Sequence, residues 1–239
     1  MDIEAVRRQL AHLGELLDDP DEDLIAYLGA IIHFALLELP TCVGVSVTVV
    51  DGDVPYTVTA TGPQTRVVDA AQYVSDGPCL ATAAHGDLTE VPDVLDEHRW
   101  GLYARAAAAE GVQSSLSLPL LFEHEIIGAV NFYGGTPQTF DDRAHMLAEL
   151  ISGHAAYAMR DADLSLRTRE LAAATDVAAE ALGSPDDAVE QAVGLLMQLQ
   201  DIKARPARGR MHSAADRAGI DASTLARALL ELTAPPPAA

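Results

Sequence analysis

Apolar residues at the start of the chain recur at helical spacing. Ile3, Val6, Leu10, Leu13 and Leu17 fall three, four, three and four positions apart, which puts them on one helix face. Asp18-Asp19-Pro20-Asp21 breaks the pattern, and Pro20 with its aspartates suits the end of one helix and the cap of the next. A second helix is expected over residues 23–39, burying Leu28, Ile32, Ala35 and Leu39, with Pro40 as its stop. From residue 43 the period changes to two. VGVSVTVV (43–50) is β-branched and alternating, Asp51-Gly52-Asp53 is a turn, and residues 54–60 return as the hairpin partner.

Residues 62–74 are expected to be irregular. Asp76-Gly77-Pro78 is a helix-start signal, because Asp or Gly caps well and proline fits the first helical position. A short helix (79–85) and a brief strand near 88–91 follow, then an Ala-rich helix (100–110) that Gly111 ends. QSSLSLPLL (113–121) alternates Leu116, Leu118 and Leu120 with small polar residues and turns at Glu123-His124 into IIGAVNFY (126–133), a more continuously apolar strand. Pro119 marks an edge or a bulge, since it cannot donate to a ladder. Helix, hairpin, short helices, hairpin, helix is an α+β order, an antiparallel sheet covered by helices.

Between Asp141 and Leu182 there is no proline, and one long helix is the simplest reading. Leu147, Ile151, Ala155 and Ala158 would face the sheet, while Leu150, Tyr157, Leu164, Leu171 and Ala178 recur every seven residues. The alternate seam positions, His154, Asp161, Thr168, Thr175 and Leu182, are mostly polar, so a coiled coil here would be weak. With the N-terminal helix it could form a four-helix seam between two copies of the chain.

Charge narrows the possible partners. The 239 residues carry a formal net charge of −21. Binding to a phosphate backbone relies on Lys and Arg displacing counterions, so the bulk surface is unsuited to nucleic acid. Residues 1–160 hold 7 basic and 24 acidic residues, whereas residues 203–239 hold 6 basic against 3 acidic. The six are Lys203, Arg205, Arg208, Arg210, Arg217 and Arg227, and only this segment could face RNA or DNA. No apolar run approaches a membrane span of roughly 18–20 residues, and the charged start lacks a secretory apolar block. A cytoplasmic protein without membrane partners is expected.

Candidate chemistry is sparse. Cys42 and Cys79 cannot make a disulfide framework or a four-thiolate zinc site. Cys79 follows Gly77-Pro78 at an expected helix N-terminus, where a lowered thiol pKa would suit redox sensing; the stronger reading is a small buried hydrophobe, because Cys is among the most buried residue types. The eight histidines have no metal-ligand spacing, so no metal site and no cofactor are expected. Nucleophile elbow, P-loop and zinc-protease motifs are absent, and the pairs Asp51/Asp53 and Asp141/Asp142 lie where Asp serves as a turn or cap residue. No enzyme activity and no catalytic residue are expected.

Gln72-Tyr73-Val74-Ser75-Asp76-Gly77-Pro78-Cys79-Leu80, Val91-Pro92-Asp93-Val94, Arg99-Trp100, Gly111-Val112-Gln113-Ser114, Leu116-Ser117-Leu118-Pro119-Leu120 and Ile127-Gly128-Ala129-Val130-Asn131-Phe132-Tyr133 occur in an order that resembles the GAF domains of actinobacterial GAF-ANTAR regulators. The C-terminal part resembles an ANTAR domain, a three-helix module that binds structured RNA to cause transcription antitermination. Val189, Gln191, Ala192, Gly194, Leu195, Leu196 and Met197 match its opening, and Ala207, Ala214 and Ala226 fall on its small positions. Val193 stands where that family has Lys and Arg208 where it has an aromatic. Pro206 and Gly209 fall in the second helix, which must start late or be irregular.

The resemblance implies an N-terminal dimerisation helix (1–20), a GAF sensor domain (21–160), a helical linker (161–184), an ANTAR-like domain (185–233) and a disordered tail (234–239). It implies a homodimer in which a GAF signal controls contact between the six C-terminal cations and RNA hairpins. GAF domains commonly hold a small ligand between sheet and helices. Cys79, Trp100, Tyr103, Ser115, Ser117, Asn131 and Tyr133 are the residues expected near such a pocket, although Trp100 and Tyr133 also read as ordinary core. The competing reading is a GAF scaffold or small-molecule sensor whose C-terminal module contacts protein and does not bind RNA.

Overall fold

The structure is a computed structural model and describes residues 3–15, 20–159 and 187–231. Helices α1 (Ile3–Glu15) and α2 (Pro20–Glu38) lead into a hairpin of β1 (Cys42–Asp51) and β2 (Val54–Ala60). Then come α3 (Pro63–Val74), α4 (Pro78–His85), β3 (Thr89–Val91) and α5 (Gly101–Ala109). A second hairpin, β4 (Ser114–Phe122) and β5 (Glu125–Gly134), precedes α6 (Asp142–Met159). The C-terminal module is α7 (Asp187–Gln200), α8 (Ala204–Ala218) and α9 (Ala222–Leu230). The five strands form an antiparallel sheet in the order β2-β1-β5-β4-β3. This is the expected α+β class with a small all-α C-terminal unit.

Alternation sends Val45, Val47, Val49, Leu116, Leu120 and Phe132 to one sheet face, where α1, α2 and α6 cover them. Leu28, Ile32, Leu147, Ile151 and Ala155 meet them there, as the helical spacing predicts. Full burial of each such Leu or Ile contributes roughly 1.5–3 kcal/mol. Val6 and Leu10 of α1 join this core, and the remaining positions of the N-terminal stripe lie outside the described side chains. The opposite face carries Ser46, Thr48, Thr57, Ser115, Ser117 and Asn131, all buried. An alternating strand normally shows its polar side to water. Here α3 and α4 cover that side, with Tyr103 of α5 reaching Ser115, so the small polar residues form an interior layer.

The irregular stretch expected at 62–74 is a helix. Gly62-Pro63 starts α3 as Gly77-Pro78 starts α4, with an extended glycine cap and proline at the first position. Its period was hidden because both faces are buried, a polar one against the sheet and one of small residues against α8. Pro119 lies beyond the end of β3, which pairs only with Ser115, Leu116 and Ser117, so no donor is required of it. Pro206 occupies the third position of α8, where the amide has no intrahelical partner to lose, and the helix continues through exposed Gly209. In α6, Leu150 packs partly on the core and Tyr157 is 64% exposed. Residues 160–186, with the coiled-coil seam from Asp161 to Leu182, and the tail lie outside the described residues. No described helix is long and apolar enough to cross a membrane.

Candidate functional site

Strand register builds the polar layer. Thr48 of β1 pairs with Thr57 of β2, Asn131 of β5 pairs with both Ser46 and Ser117, and Tyr133 pairs with Ser115. Helix α3 closes the layer with Asp69, Gln72 and Tyr73, and α4 adds Cys79. All of these are buried.

Asp69 sets the direction of the hydrogen bonds. One carboxylate oxygen accepts from Ser46 Oγ at 3.0 Å and from the Tyr133 hydroxyl, the other from Thr57 Oγ1 at 2.9 Å. A carboxylate only accepts, so these three hydroxyls donate. Thr57, its proton spent, accepts from the Tyr73 hydroxyl at 2.8 Å, and Tyr73 in turn accepts from Thr48 at 3.0 Å. The Asn131 amide nitrogen donates to Thr48 and Ser46, and its oxygen accepts from Ser117 at 2.9 Å. Gln72 donates to the Tyr133 oxygen at 3.2 Å while its own oxygen takes the Cys79 amide at 2.8 Å, an orphan donor of the α4 N-terminus. One charge thus orients a network spanning four strands and two helices.

Burial pushes the Asp69 carboxyl up to about 6, against the pull of its three hydroxyl partners and of Arg66. Burial pushes the Cys79 thiol up to about 12, with the nearby Asp69 charge adding to the effect. This matches the buried alternative over the redox one: desolvation outweighs the helix N-terminus, and Cys79 is a protonated interior thiol. Tyr73, Tyr103 and Tyr133 are likewise held above the ordinary phenol range, chiefly by burial. The layer holds no activated nucleophile beside a base. It is a closed array of donors and acceptors around one buried acid.

Six of the seven residues expected near a pocket meet here. Cys79, Ser117, Asn131 and Tyr133 belong to the Asp69 network, and the Tyr103 hydroxyl donates to Ser115 alongside. Trp100 lies at the margin, partly buried against Tyr103 and Tyr133, with the Arg99 guanidinium 4.2 Å from its ring centre. Sequence reading missed Asp69, Gln72, Tyr73, Ser46, Thr48 and Thr57. The available signal was Gly62-Pro63, the same helix start recognised at Gly77-Pro78. A cleft of about 330 Å³ lies elsewhere, between α6 and the free end of β4, lined by Leu88, Leu118, Pro119, Leu121 and Ser152. It gathers none of these polar residues. No group of three or more His, Cys, Asp or Glu side chains suited to a metal occurs among the described residues.

The six C-terminal cations are not equivalent. Lys203, Arg205, Arg208, Arg210 and Arg227 are exposed. Arg208 makes two 2.6 Å hydrogen bonds to the Glu190 carboxylate, Arg210 donates to Gln200, and Arg227 reaches Thr224 Oγ1 at 3.5 Å. Arg217 turns inward. Its guanidinium donates to the carbonyls of Ser213 and Tyr73 at 3.1 Å each and lies 5.2 Å from the Tyr73 ring centre. Burial lowers its pKa.

A five-stranded antiparallel sheet between two helix layers, with an interior polar face, defines the class. The chain belongs to the GAF family: the GAF domain model matches residues 21–160. Solved structures with the same fold include the type II free methionine-R-sulfoxide reductase of Thermoplasma acidophilum, 17% identical, at a TM-score of 0.50 over 59% of this chain and 94% of that one. The fRMsr of Staphylococcus aureus in its reduced form is 17% identical, with a TM-score of 0.51 over 66% of this chain and 95% of that one. The GAF domain of an Acinetobacter phosphoenolpyruvate-protein phosphotransferase is 9% identical, with a TM-score of 0.49 over 66% and 94%. At 17% identity the first two likenesses concern the fold alone. Comparison with curated proteins gives no match.

Proposed function

We propose that this chain is a non-enzymatic, cytoplasmic, signal-responsive regulator in which the GAF domain controls an ANTAR-like module that binds RNA hairpins in transcription antitermination. One observation carries the reading. On a chain of net charge −21, Lys203, Arg205, Arg208 and Arg210 stand exposed along the first turns of α8. Phosphate is the complementary charge, and a local basic patch adds counterion release. An unidentified small ligand at the polar layer is the proposed signal. The chain acts as a homodimer through its N-terminal helix and the α6 side, where Met146 and Tyr157 are exposed, and two modules per dimer would engage two hairpins.

Gel shift with tandem hexaloop hairpins at physiological salt tests this reading. Binding is expected, and it should be lost when Arg205, Arg208 and Arg210 are replaced by Ala. Unchanged binding in that variant defeats the assignment. The alternative, a module that contacts protein and not RNA, is favoured by Arg208 being paired with Glu190 and Arg217 being turned onto Tyr73. A stable dimer with no affinity for hairpins would decide for it.

A further inference from the structure

Helix α3 has two buried sides. The inner side gives Asp69, Gln72 and Tyr73 to the polar layer, while Val67, Ala70 and Val74 share one hydrophobic cluster with Met211, Ala215 and Ala218 of α8. Side chains cross this contact in both directions, and each ends on a helix terminus. Arg66 Nη1 donates to the carbonyl of Ala218, the last residue of α8, at 2.9 Å. Arg217 Nη2 donates to the carbonyl of Tyr73 at 3.1 Å, and Gln200 Nε2 to that of Val74 at 3.4 Å, the last two residues of α3. Last-turn carbonyls have no intrahelical partner and carry the negative end of the helix dipole. The two helices therefore cap each other's C-termini with arginine.

Tyr73 joins the two sides. Its hydroxyl sits between Thr48 and Thr57 in the Asp69 network, its carbonyl accepts from Arg217, and its ring lies beside the Arg217 guanidinium. The described contacts of Arg217 are all with neutral groups, two carbonyls and a ring. Such contacts hold a half-buried cation while leaving it able to exchange them for a phosphate, whose charge-assisted bonds are stronger.

We propose that the reciprocal capping of α3 and α8 is a latch set by the polar layer: Tyr73 passes the hydrogen-bond state of the layer to Arg217, so docking of the C-terminal module and contact of Arg217 with RNA exclude each other. The RNA half rests on the function proposed above. A shift in the layer, by a ligand or a change at Asp69, moves the Tyr73 hydroxyl and with it the carbonyl that holds Arg217. The released module gains the one cation that docking withholds.

The test uses the full chain labelled at Gln64→Cys and Ser213→Cys, exposed positions on α3 and α8, while the native Cys42 and Cys79 are buried. Pulsed electron-spin distance measurement reads docking, and hairpin titration reads affinity. Tyr73→Phe removes only the hydroxyl and leaves both Arg217 contacts. Thr48→Val removes the donor to that hydroxyl and serves as a second variant if the first unfolds. The native layer should give a dominant short distance, and either variant should enlarge a longer population. A module free about one-tenth of the time binds about tenfold more weakly than a free one, so hairpin affinity should rise by up to that factor. Hairpin binding with unchanged distances and unchanged affinity in both variants overturns the latch and leaves the RNA reading standing. Longer distances with no hairpin binding in any form uphold the latch and defeat the RNA reading.

Discussion

The Tyr133 hydroxyl donates to the carboxylate of Asp69, joining the last strand of the sheet to the first helix on its polar side across 64 positions of sequence. Around that bond the fold places a fully buried acid whose partners among the described residues are hydroxyls and whose nearest countercharge, Arg66, also caps α8. Interior polar networks with every member satisfied fix a single arrangement, and one missing partner exposes the cost of all.

The first prediction concerns pH. Asp69 titrates at about 6 in the fold against 3.8 for an unperturbed carboxyl, so folding favours its protonated form. Its contribution is present in full below about pH 4 and is lost as pH rises through about 6, a loss on the order of 3 kcal/mol. Urea midpoints of wild type and Asp69→Asn across that window check the sign. The wild type should decline relative to the variant, and parallel curves would rule out a raised Asp69 pKa.

A second prediction concerns Cys79. A buried thiol raised to about 12 presents almost no thiolate at neutral pH. Thiol reagents at pH 8 should leave it unmodified in the native protein and react on unfolding, as peptide mass mapping would show. Rapid native labelling at Cys79 would restore the redox reading.

Tyr157 is 64% exposed at the end of α6, and Leu37, on the neighbouring α2, is 79% exposed. If copies pair through this side, Tyr157→Glu should convert the dimer to monomer in sedimentation while the melting of the isolated fold moves little. An unchanged sedimentation coefficient would place the dimer contact elsewhere.

Glu190 occupies Arg208 with a bidentate ion pair between exposed side chains, an arrangement worth little to stability. Glu190→Gln should therefore cost less than about 1 kcal/mol. It should also free one cation for RNA, steepening the dependence of log affinity on log salt by about 0.7–0.9. Titrations at several salt concentrations measure that slope. An unaltered slope means that Glu190 does not withhold Arg208 from phosphate.

Much of the fold was legible because its strands and helices each bury an apolar face. The period of two in VGVSVTVV, the period near 3.6 through Leu147 and Ile151, and the Gly-Pro start of α4 are local signals, and each element stands where they indicate. Helix α3 was illegible for the opposite reason. Its apolar stripe of Val67, Ala70, Ala71 and Val74 is built mostly of small residues, and the opposite side, buried against the sheet, is polar, so the contrast between a large apolar face and a solvated one is missing.

The chain by itself determined the α+β class, the order of elements and the concentration of positive charge after Lys203, since these follow from residue type and spacing. Tertiary structure decided what those residues do. Pairing of β1, β2, β4 and β5 brought residues distant in sequence around Asp69, and desolvation there outweighed the local preference of Cys79 for a thiolate. Docking of α8 on α3 separated Arg217 from the other cations. Spacing shows which side chains share a face. Only packing shows what covers that face, and burial sets the strength of every charge beneath it.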